Sequence, residues 1–159
     1  MFLDKFANLM DIEYVNENLY DDLYFIYKHN MEFMRNTNLK NGYEVYKFHT
    51  DDAADLNGER AYFIVKIDKM FVALVDLYIG CPDEDSVYIK YFIVDKTYHT
   101  FELDLEIMRD LKSLALKEYK NVYIECPKSK IDLIKILNRC GFKDEESISD
   151  TKIRLKAID

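Results

Sequence analysis

Hydrophobic side chains recur along this chain at two spacings, and each change of spacing marks a change of secondary structure. From Asn16 to about Met34 they recur every three or four residues, which predicts an α-helix with Asn16 as its N-cap. From Ala61 to Ile79 they alternate with a period of two, broken only at Asp68-Lys69, which predicts a β-hairpin. Val87 to Val94 is rich in Ile, Val and aromatic residues and predicts a third strand. Three consecutive strands indicate an antiparallel meander.

After Asp95 the helical spacing returns, and it then alternates with short strands. Four elements are predicted here: a helix to about Tyr119, a strand from Val122 to Glu125, a helix ending at Gly141, and a last strand from about Thr151 to Ile158. Ser129 and Asp132 have the spacing of a capping box, which predicts that the second of these helices begins beside them.

The segment before the hairpin is predicted to contain no long helix. Its letters YEVYKFHT, Tyr43 to Thr50, combine Val with aromatic residues and are typical of a strand. Thr50 to Gly58 is acidic and predicts a short helical turn at most. His49 lies in the strand-like segment and His29 on the predicted first helix, a spacing that does not suit a metal site.

Composition limits the classes of protein to which this chain can belong. Its 159 residues are 49% hydrophobic and include only 4 Gly and 2 Pro, so we expect one folded domain over 1–159 rather than disorder. A net charge of −8 argues against a nucleic-acid partner and favours the approach of a cationic amine. The 3 widely spaced cysteines and the lack of a long apolar run predict a cytoplasmic protein without disulfides, zinc or a membrane segment.

Two segments carry a resemblance to a known family. They are YIKYFIVDKTYHTFELDLEIM, Tyr88 to Met108, and VYIECPKSKIDLIKILNRCGFK, Val122 to Lys143, in which Gly141-Phe142 follows the helix. With the order of elements, they resemble the GNAT superfamily of N-acetyltransferases over nearly the whole chain. The resemblance implies an α/β (α+β) fold with a central, mostly antiparallel mixed sheet and helices on both faces. It also implies acetyl-CoA as cofactor and a small-molecule or peptide amine as acceptor, and it leaves a homodimer open.

The resemblance places a cofactor loop between the third strand and the following helix. In the family this loop has the pattern Q/R-x-x-G-x-G/A, and its amides point at the acetyl-CoA pyrophosphate. Here His99 lies at the Gln/Arg position, and none of the glycines is present. The residues that the resemblance brings to the cofactor are Phe92, Val94, His99, Thr100, Phe101, Glu102 and Leu103.

Acidic residues occupy two of the positions where the family has glycine. Glu102 and Asp104 would bring like charge towards a pyrophosphate and weaken its binding. The alternative is that both acids only stabilise the first turn of a helix that Thr100 caps.

The family's usual general acid is missing. That acid is often a Tyr four residues before the Gly-Phe, a position at which this chain has Leu137. The substitute catalytic candidates are Tyr88, Tyr91, Asp76 and Glu125. Three of them have a simpler interpretation, which is packing for the tyrosines and a solvent-facing position on the hairpin for Asp76. Tyr88 and Tyr91 are three residues apart, so strict alternation would turn only one of them towards the cleft.

Two functions are compatible with the sequence. The first is acetyl transfer from acyl-CoA to an unidentified amine. The second is a binding or regulatory role for a GNAT-like domain that has lost acetyl-CoA catalysis. Cys126 follows a strand, but no His and acid are placed around it by spacing, so a buried thiol is the simpler interpretation.

Overall fold

The computed structural model describes residues 1–31, 38–96 and 101–157, apart from the side chains of Phe101 and Asp144. The helices of the described residues are α1 (Phe2–Leu9), α2 (Tyr20–His29), α3 (Gly42–Asp52), α4 (Phe101–Leu116) and α5 (Ile131–Arg139). A 3₁₀ turn, Glu17–Leu19, leads into α2. The strands are β1 (Asp11–Tyr14), β2 (Glu59–Ile67), β3 (Met70–Ile79), β4 (Ser86–Val94), β5 (Asn121–Pro127), β6 (Phe142–Ser147) and β7 (Lys152–Ala157).

These strands form one mixed sheet in the order β1-β2-β3-β4-β5-β7-β6. Every neighbouring pair is antiparallel except β4 and β5, which run parallel and are separated in the chain by α4. A parallel pair needs such a crossover because a short turn can join only antiparallel strands. The mostly antiparallel mixed sheet predicted from the sequence is therefore confirmed.

Neighbouring residues of β2 show that helices cover both faces of the sheet. The Phe63 ring lies 6.1 Å from the Phe6 ring of α1, and α1 in turn packs against α4. The Tyr62 ring lies 5.6 Å from the His49 ring of α3, and α3 packs against α2. Successive residues of a strand point to opposite faces, so α1 and α4 cover one face and α2 and α3 cover the other. Helices on both faces were predicted, and this is confirmed.

The two faces differ in polarity. The face under α1 and α4 is apolar, and Phe6, Phe63, Ile107 and Leu111 are almost completely buried there. On the opposite face, the register of β2, β3, β4 and β5 aligns polar and aromatic side chains that we call the polar face: Arg60, Tyr62, Asp76, Tyr78, Tyr88, Tyr91, Tyr123 and Glu125. Because such groups are costly to bury without partners, this face must be built from hydrogen bonds and ion pairs.

A β-bulge at Lys90 determines which side chains of β4 reach the polar face. Asp76 pairs with Tyr91 and Leu77 pairs with Ile89, so Lys90 is an extra residue on β4. The extra residue shifts the alternation by one position and places Tyr88 and Tyr91 on the same face. The expectation that only one of the two tyrosines could face the cleft is wrong, because it assumed a regular strand.

The hairpin turn at Asp68-Lys69 is confirmed, although its residues are unusual for the conformation. Both have positive φ, 50° for Asp68 and 69° for Lys69, as a two-residue type I′ turn requires. Gly or Asn would adopt this conformation at lower energetic cost, so the turn residues themselves do not indicate a type I′ turn. The turn was predicted from the alternation of apolar residues in the two flanking strands.

The strand predicted around Tyr43 to Thr50 is wrong, because this segment is part of α3. Asn41 caps the helix, and its side chain accepts a hydrogen bond from the Glu44 amide at 2.9 Å. Val45 and His49, four residues apart, form the buried side of the helix. Tyr46, one of the aromatic residues that favoured a strand, instead packs between Tyr20 of α2 and Tyr62 of β2, so tertiary contacts override local propensity.

Three other boundaries differ from prediction. The Asn16 side chain caps the 3₁₀ turn rather than a long helix, and α2 ends at His29; residues 32–37 of the predicted helix lie outside the described part of the chain. The capping box before α5 is wrong, since Lys130 is the N-cap residue and its side chain makes no capping hydrogen bond. The short elements α1, β1 and β6 were not predicted.

We predict that Gly42→Ala destabilises the fold, although Ala is the better helix former. A Cβ atom at Gly42 would lie 1.8 Å from the backbone oxygen of Tyr20, so α2 and α3 would have to separate. Helix propensity alone would give a gain of less than about 1 kcal/mol at this first position of α3, whereas we expect a loss of about 2 kcal/mol or more in urea unfolding. Lys47→Ala on the exposed side of α3 is the control and should change stability by less than about 0.5 kcal/mol. A stabilised Gly42→Ala variant would contradict this close packing.

Candidate active site

β4 and β5 pair along only part of their length, and the gap beyond is the centre of the candidate site. Their register runs from Ser86 and Asn121 to Ile89 and Ile124, and it ends beside the bulge. Next to the gap lies a cavity of about 180 Å³, whose lining includes Phe92, Val94, Lys96, Asp104, Lys130 and Leu133. A narrower opening of about 10 Å³ is lined by Lys90, Tyr91, Phe92, Glu125, Cys126, Pro127 and Lys152. Phe92 lines both, so the cavity and the opening adjoin.

Part of the predicted cofactor-binding set lies at this cavity. Phe92 and Val94 form its wall on β4, whereas Leu103 packs against the hydrophobic core. His99 and Thr100 lie outside the described residues, and Phe101 is described only as the first residue of α4.

The two acids in the first turn of α4 have different surroundings. Asp104 lines the cavity and is 2% exposed, whereas Glu102 is exposed to solvent. Both stabilise the positive end of the helix dipole, but only Asp104 would face a ligand in the cavity. Helix stabilisation and repulsion of a bound pyrophosphate can therefore be separated, because Glu102 contributes only the first and Asp104 would contribute both.

On the polar face, Tyr91 links β4 to α3. Its phenol donates a hydrogen bond to Oδ2 of Asp52, the last residue of α3. The same oxygen lies 3.6 Å from Nζ of Lys90 and 3.5 Å from Nζ of Lys152. Burial raises the pKa of Asp52, but the hydrogen bond from Tyr91 and the two lysine charges outweigh it and hold the pKa below its ordinary value. Asp52 is therefore ionised at neutral pH.

Glu125 is the buried carboxylate of the opening, with 5% of its side chain exposed. Tyr88 donates a hydrogen bond to its Oε2 at 2.5 Å, and Lys90 donates to Oε1 and Oε2 at 3.0 and 3.2 Å. Nζ of Lys152 lies 4.0 Å from Oε1. Lys90 and Lys152 thus both lie between two carboxylates, and we refer to Asp52, Lys90, Glu125 and Lys152 as the charge cluster.

The two tyrosines of β4 are held in their protonated form. Burial raises the pKa of Tyr91 far above its ordinary value, and the hydrogen bond to Asp52 raises it further. Burial likewise raises the pKa of Tyr88, with a further contribution from the negative charge of Glu125. Each phenol keeps its proton at neutral pH, so it donates a hydrogen bond and cannot act as a base.

Asp76 is completely buried, so the interpretation that it faces solvent on the hairpin is wrong. Its two oxygens accept hydrogen bonds from Arg60 at 2.9 and 3.0 Å, and Arg60 also donates to Thr50 at 2.7 Å. Burial raises the pKa of Asp76, against the opposing effect of these hydrogen bonds and of the Arg60 charge. Asp76 holds Arg60 in place and lines neither the cavity nor the opening.

His49 supports Tyr91 from behind. Its ring lies 4.4 Å from the Tyr91 ring, and its Nδ1 shares a hydrogen bond with the Tyr62 hydroxyl at 2.5 Å. Nε2 is buried and has no hydrogen-bond partner among the described residues. Burial, with a smaller contribution from the charge of Arg60, lowers the pKa of His49 to about 3. His49 is therefore neutral at physiological pH and has a structural role beneath the tyrosine.

The structure brings the four predicted catalytic candidates, Tyr88, Tyr91, Asp76 and Glu125, onto one face of the sheet. Sequence reasoning missed three residues of the charge cluster: Asp52, Lys90 and Lys152. Lys90 carries a signal, because a lysine within the apolar run Tyr88 to Val94 is unusual for a buried strand. Asp52 carries no such signal in the sequence, because the helix that positions it was not predicted.

The remaining reactive groups do not form a second site among the described residues. Cys126 is buried, and burial raises its pKa to about 12, so its thiol is protonated and unreactive. In the described ranges, no group of His, Cys, Asp and Glu side chains is arranged to hold a metal ion. No helix there has the length and apolar character needed to cross a membrane.

Comparison with solved structures finds the same fold among acetyltransferases. An acetyltransferase from Thermus thermophilus matches with a TM-score of 0.71 and 12% identity, over 92% of this chain and 95% of that chain. The GNAT domain of S. lividans PAT matches with a TM-score of 0.63 and 16% identity, over 91% and 88%. Spermidine N-acetyltransferase from Vibrio cholerae, in complex with CoA and spermine, matches with a TM-score of 0.68 and 11% identity, over 94% and 95%.

A scan against protein-family models and a search of curated proteins find no match. At these low identities, the structural matches establish that the chain has the GNAT fold, as its sequence resemblance implied. They do not establish what the chain binds or which reaction it catalyses, because one fold serves many functions.

The lowered pKa of His49 predicts a loss of stability in acid. The unfolded chain binds a proton at His49 near pH 6.5, while the folded chain does so only near pH 3. The unfolded state therefore binds more protons in this window, and stability falls as the pH is lowered through it. His49→Gln lacks this titration, so its stability deficit relative to the unmodified chain should shrink between about pH 7 and about pH 4.5. Urea unfolding at both pH values tests this, and a constant deficit would contradict it.

Proposed function

We propose that this chain, which has the GNAT fold, is an acyl-CoA-dependent N-acetyltransferase that acts on an amine. The observation that carries the proposal is the gap between β4 and β5, where a cavity of about 180 Å³ adjoins an opening to the polar face through Phe92. An elongated ligand could occupy the cavity and present one reactive end at the opening. Neighbours of the same fold that were solved with coenzyme A support acyl-CoA as this ligand.

The cavity offers groups suited to a phosphate-bearing cofactor. It lies against the first turn of α4, and helix N-termini bind phosphates through unpaired amides and the helix dipole. Lys96 and Lys130 at its rim would add positive charge, and Phe92 and Val94 would pack against an apolar arm. Asp104 acts in the opposite direction, because its negative charge would repel a pyrophosphate.

At the opening, the structure supports separate roles for the two tyrosines. Acetyl transfer requires that the acceptor amine lose a proton and that the leaving thiolate gain one. Tyr91 lines the opening and carries a proton, so its position is what supports it as the general acid; its raised pKa makes it a weaker proton donor. Glu125 lines the opening as the proposed base, and Tyr88 orients it through the hydrogen bond at 2.5 Å. We assign Asp76 a positioning role through Arg60, because it holds the guanidinium with both oxygens and lines neither the cavity nor the opening.

A second candidate is a binding or regulatory protein that no longer catalyses acetyl transfer. Two observations favour it: Asp104 occupies the cavity wall, and Leu137, at the position of the family's usual acid, is completely buried in the core. The same cavity would then hold a ligand without a pyrophosphate. Calorimetric titration with acetyl-CoA separates the two functions.

We predict that Asp104→Asn tightens acetyl-CoA binding and that Glu102→Gln has little effect. Both substitutions remove one negative charge from the same helical turn, but only Asp104 lines the cavity. Relief of like-charge repulsion worth about 1 kcal/mol corresponds to a gain of about fivefold in affinity, and the gain should shrink as salt is added. Isothermal titration calorimetry measures both. Equal effects of the two substitutions would contradict the geometry, and no binding to any variant would favour the second candidate.

We also predict different losses of turnover for the two tyrosines. Tyr91→Phe removes the proposed acid and should lower kcat by about 100-fold or more, measured as release of CoA thiol with an accepted amine. Tyr88→Phe also removes a hydroxyl oxygen, but Tyr88 lies outside the opening and only orients Glu125, so this change should lower kcat by less than about tenfold. Unchanged turnover in Tyr91→Phe would show that another group, or water, protonates the thiolate.

A further inference from the structure

The amines nearest to the proposed reaction centre belong to the chain itself. Nζ atoms of Lys90 and Lys152 both belong to the charge cluster, and both residues line the opening. The opening, at about 10 Å³, has room for about one water molecule. An acyl group that reached the opening from the cavity would therefore meet these two lysines before it met an external acceptor.

The two lysines differ in how firmly their amines are held. Lys90 donates hydrogen bonds to both oxygens of Glu125, at 3.0 and 3.2 Å, and its side chain is 11% exposed. Lys152 makes longer ion-pair contacts, 3.5 Å to Asp52 and 4.0 Å to Glu125, and its side chain is 24% exposed. Only a neutral amine attacks a carbonyl carbon, so the more weakly held Lys152 is the better nucleophile of the two.

The surroundings of Lys152 supply what such a reaction needs. Its Nζ lies over the Tyr91 ring, 5.2 Å from the ring centre, and is therefore close to the proposed general acid. Glu125, held by Tyr88 and Lys90, is near enough to accept a proton from Nζ after a small movement. Nucleophile, base and acid thus lie around one opening.

We propose that Lys152 is a site of self-acetylation, an inference that rests on the proposed use of acetyl-CoA. The neutral Nζ of Lys152 attacks the thioester carbonyl carbon, a C–N bond forms and the C–S bond breaks. The ammonium of Lys152 in the charge cluster first releases one proton to solvent, which gives the neutral Nζ. During the attack Nζ loses a second proton to Glu125, and the departing thiolate takes a proton from Tyr91; Glu125 then returns its proton, through solvent, to Tyr91. The products are Nε-acetyl-Lys152, free coenzyme A and one proton, so atoms and charge balance.

Acetylation of Lys152 would alter the charge cluster. The modified side chain loses its positive charge and its ion pairs with Asp52 and Glu125, and it gains bulk at an opening that has little free volume. The reaction would therefore occur once per chain and would change access to the site afterwards.

The test is site mapping by mass spectrometry after the full chain is incubated with acetyl-CoA and no acceptor. Lys120 is the internal reference for uncatalysed reaction, because its side chain is 78% exposed and it lies outside both the cavity and the opening. We expect Lys152 to be acetylated at least about tenfold faster than Lys120, although exposure alone would favour Lys120. Acetyl phosphate, which lacks the arm that would occupy the cavity, should show no preference for Lys152.

Two variants identify the groups involved. Lys152→Arg should abolish the fast modification and keep the positive charge, and Glu125→Gln should slow Lys152 by about tenfold or more while Lys120 is unaffected. If acetyl-CoA binds by calorimetry and Lys152 reacts no faster than Lys120, the inference is wrong while the proposed function stands. If acetyl-CoA does not bind, the proposed function fails and the inference fails with it. Fast modification of Lys152 by acetyl phosphate would show intrinsic reactivity and would also overturn the inference.

Discussion

The bulge at Lys90 is the feature on which the candidate site depends. It turns Tyr88 and Tyr91 to the same face, and it lies where the pairing of β4 with β5 ends. It also places the amine of Lys90 between Glu125 and Asp52. A regular β4 would send Tyr91 into the apolar side of the sheet, and its hydrogen bond to Asp52 could not form. One extra residue therefore brings the two tyrosines to one face and adds Lys90 to the charge cluster, beside the point where β4 and β5 cease to pair.

The polar face is stable only because its charged groups are paired. Arg60 and Asp76 form a two-point ion pair, and Lys90 lies between two carboxylates. A buried ion pair contributes little net stability to the fold. Removing one partner, however, leaves a buried charge without compensation and lowers the stability strongly. Burying these charged groups costs more free energy than burying apolar side chains would, and α1 and α4 cover the other face with apolar contacts alone. The asymmetry between the faces is the physical reason to place chemistry on the polar one.

The fold could be predicted from the sequence where periodicity was long and regular. The hairpin, β4, α4 and β7 were predicted because alternating or helical spacing extends over six or more residues. α3 was not predicted, because its aromatic residues favour a strand locally and only contacts with α2 and the sheet make it helical.

The candidate site was predicted in part for the same reason. Tyr88, Tyr91 and Glu125 lie on predicted strands, but Asp52 required α3, and the grouping of the tyrosines required the bulge.

The absence of the family's glycines does not by itself decide between catalysis and binding. Backbone amides at the start of a helix are donors whatever the side chain, so the loss of glycine affects how closely a phosphate can approach rather than whether donors exist. Glu102 points to solvent and can stabilise α4 without opposing a ligand. Asp104 is different, because it stabilises the same helix from inside the cavity. The choice between the two functions therefore depends on the electrostatic cost of one buried carboxylate, set against the lysines at the cavity rim.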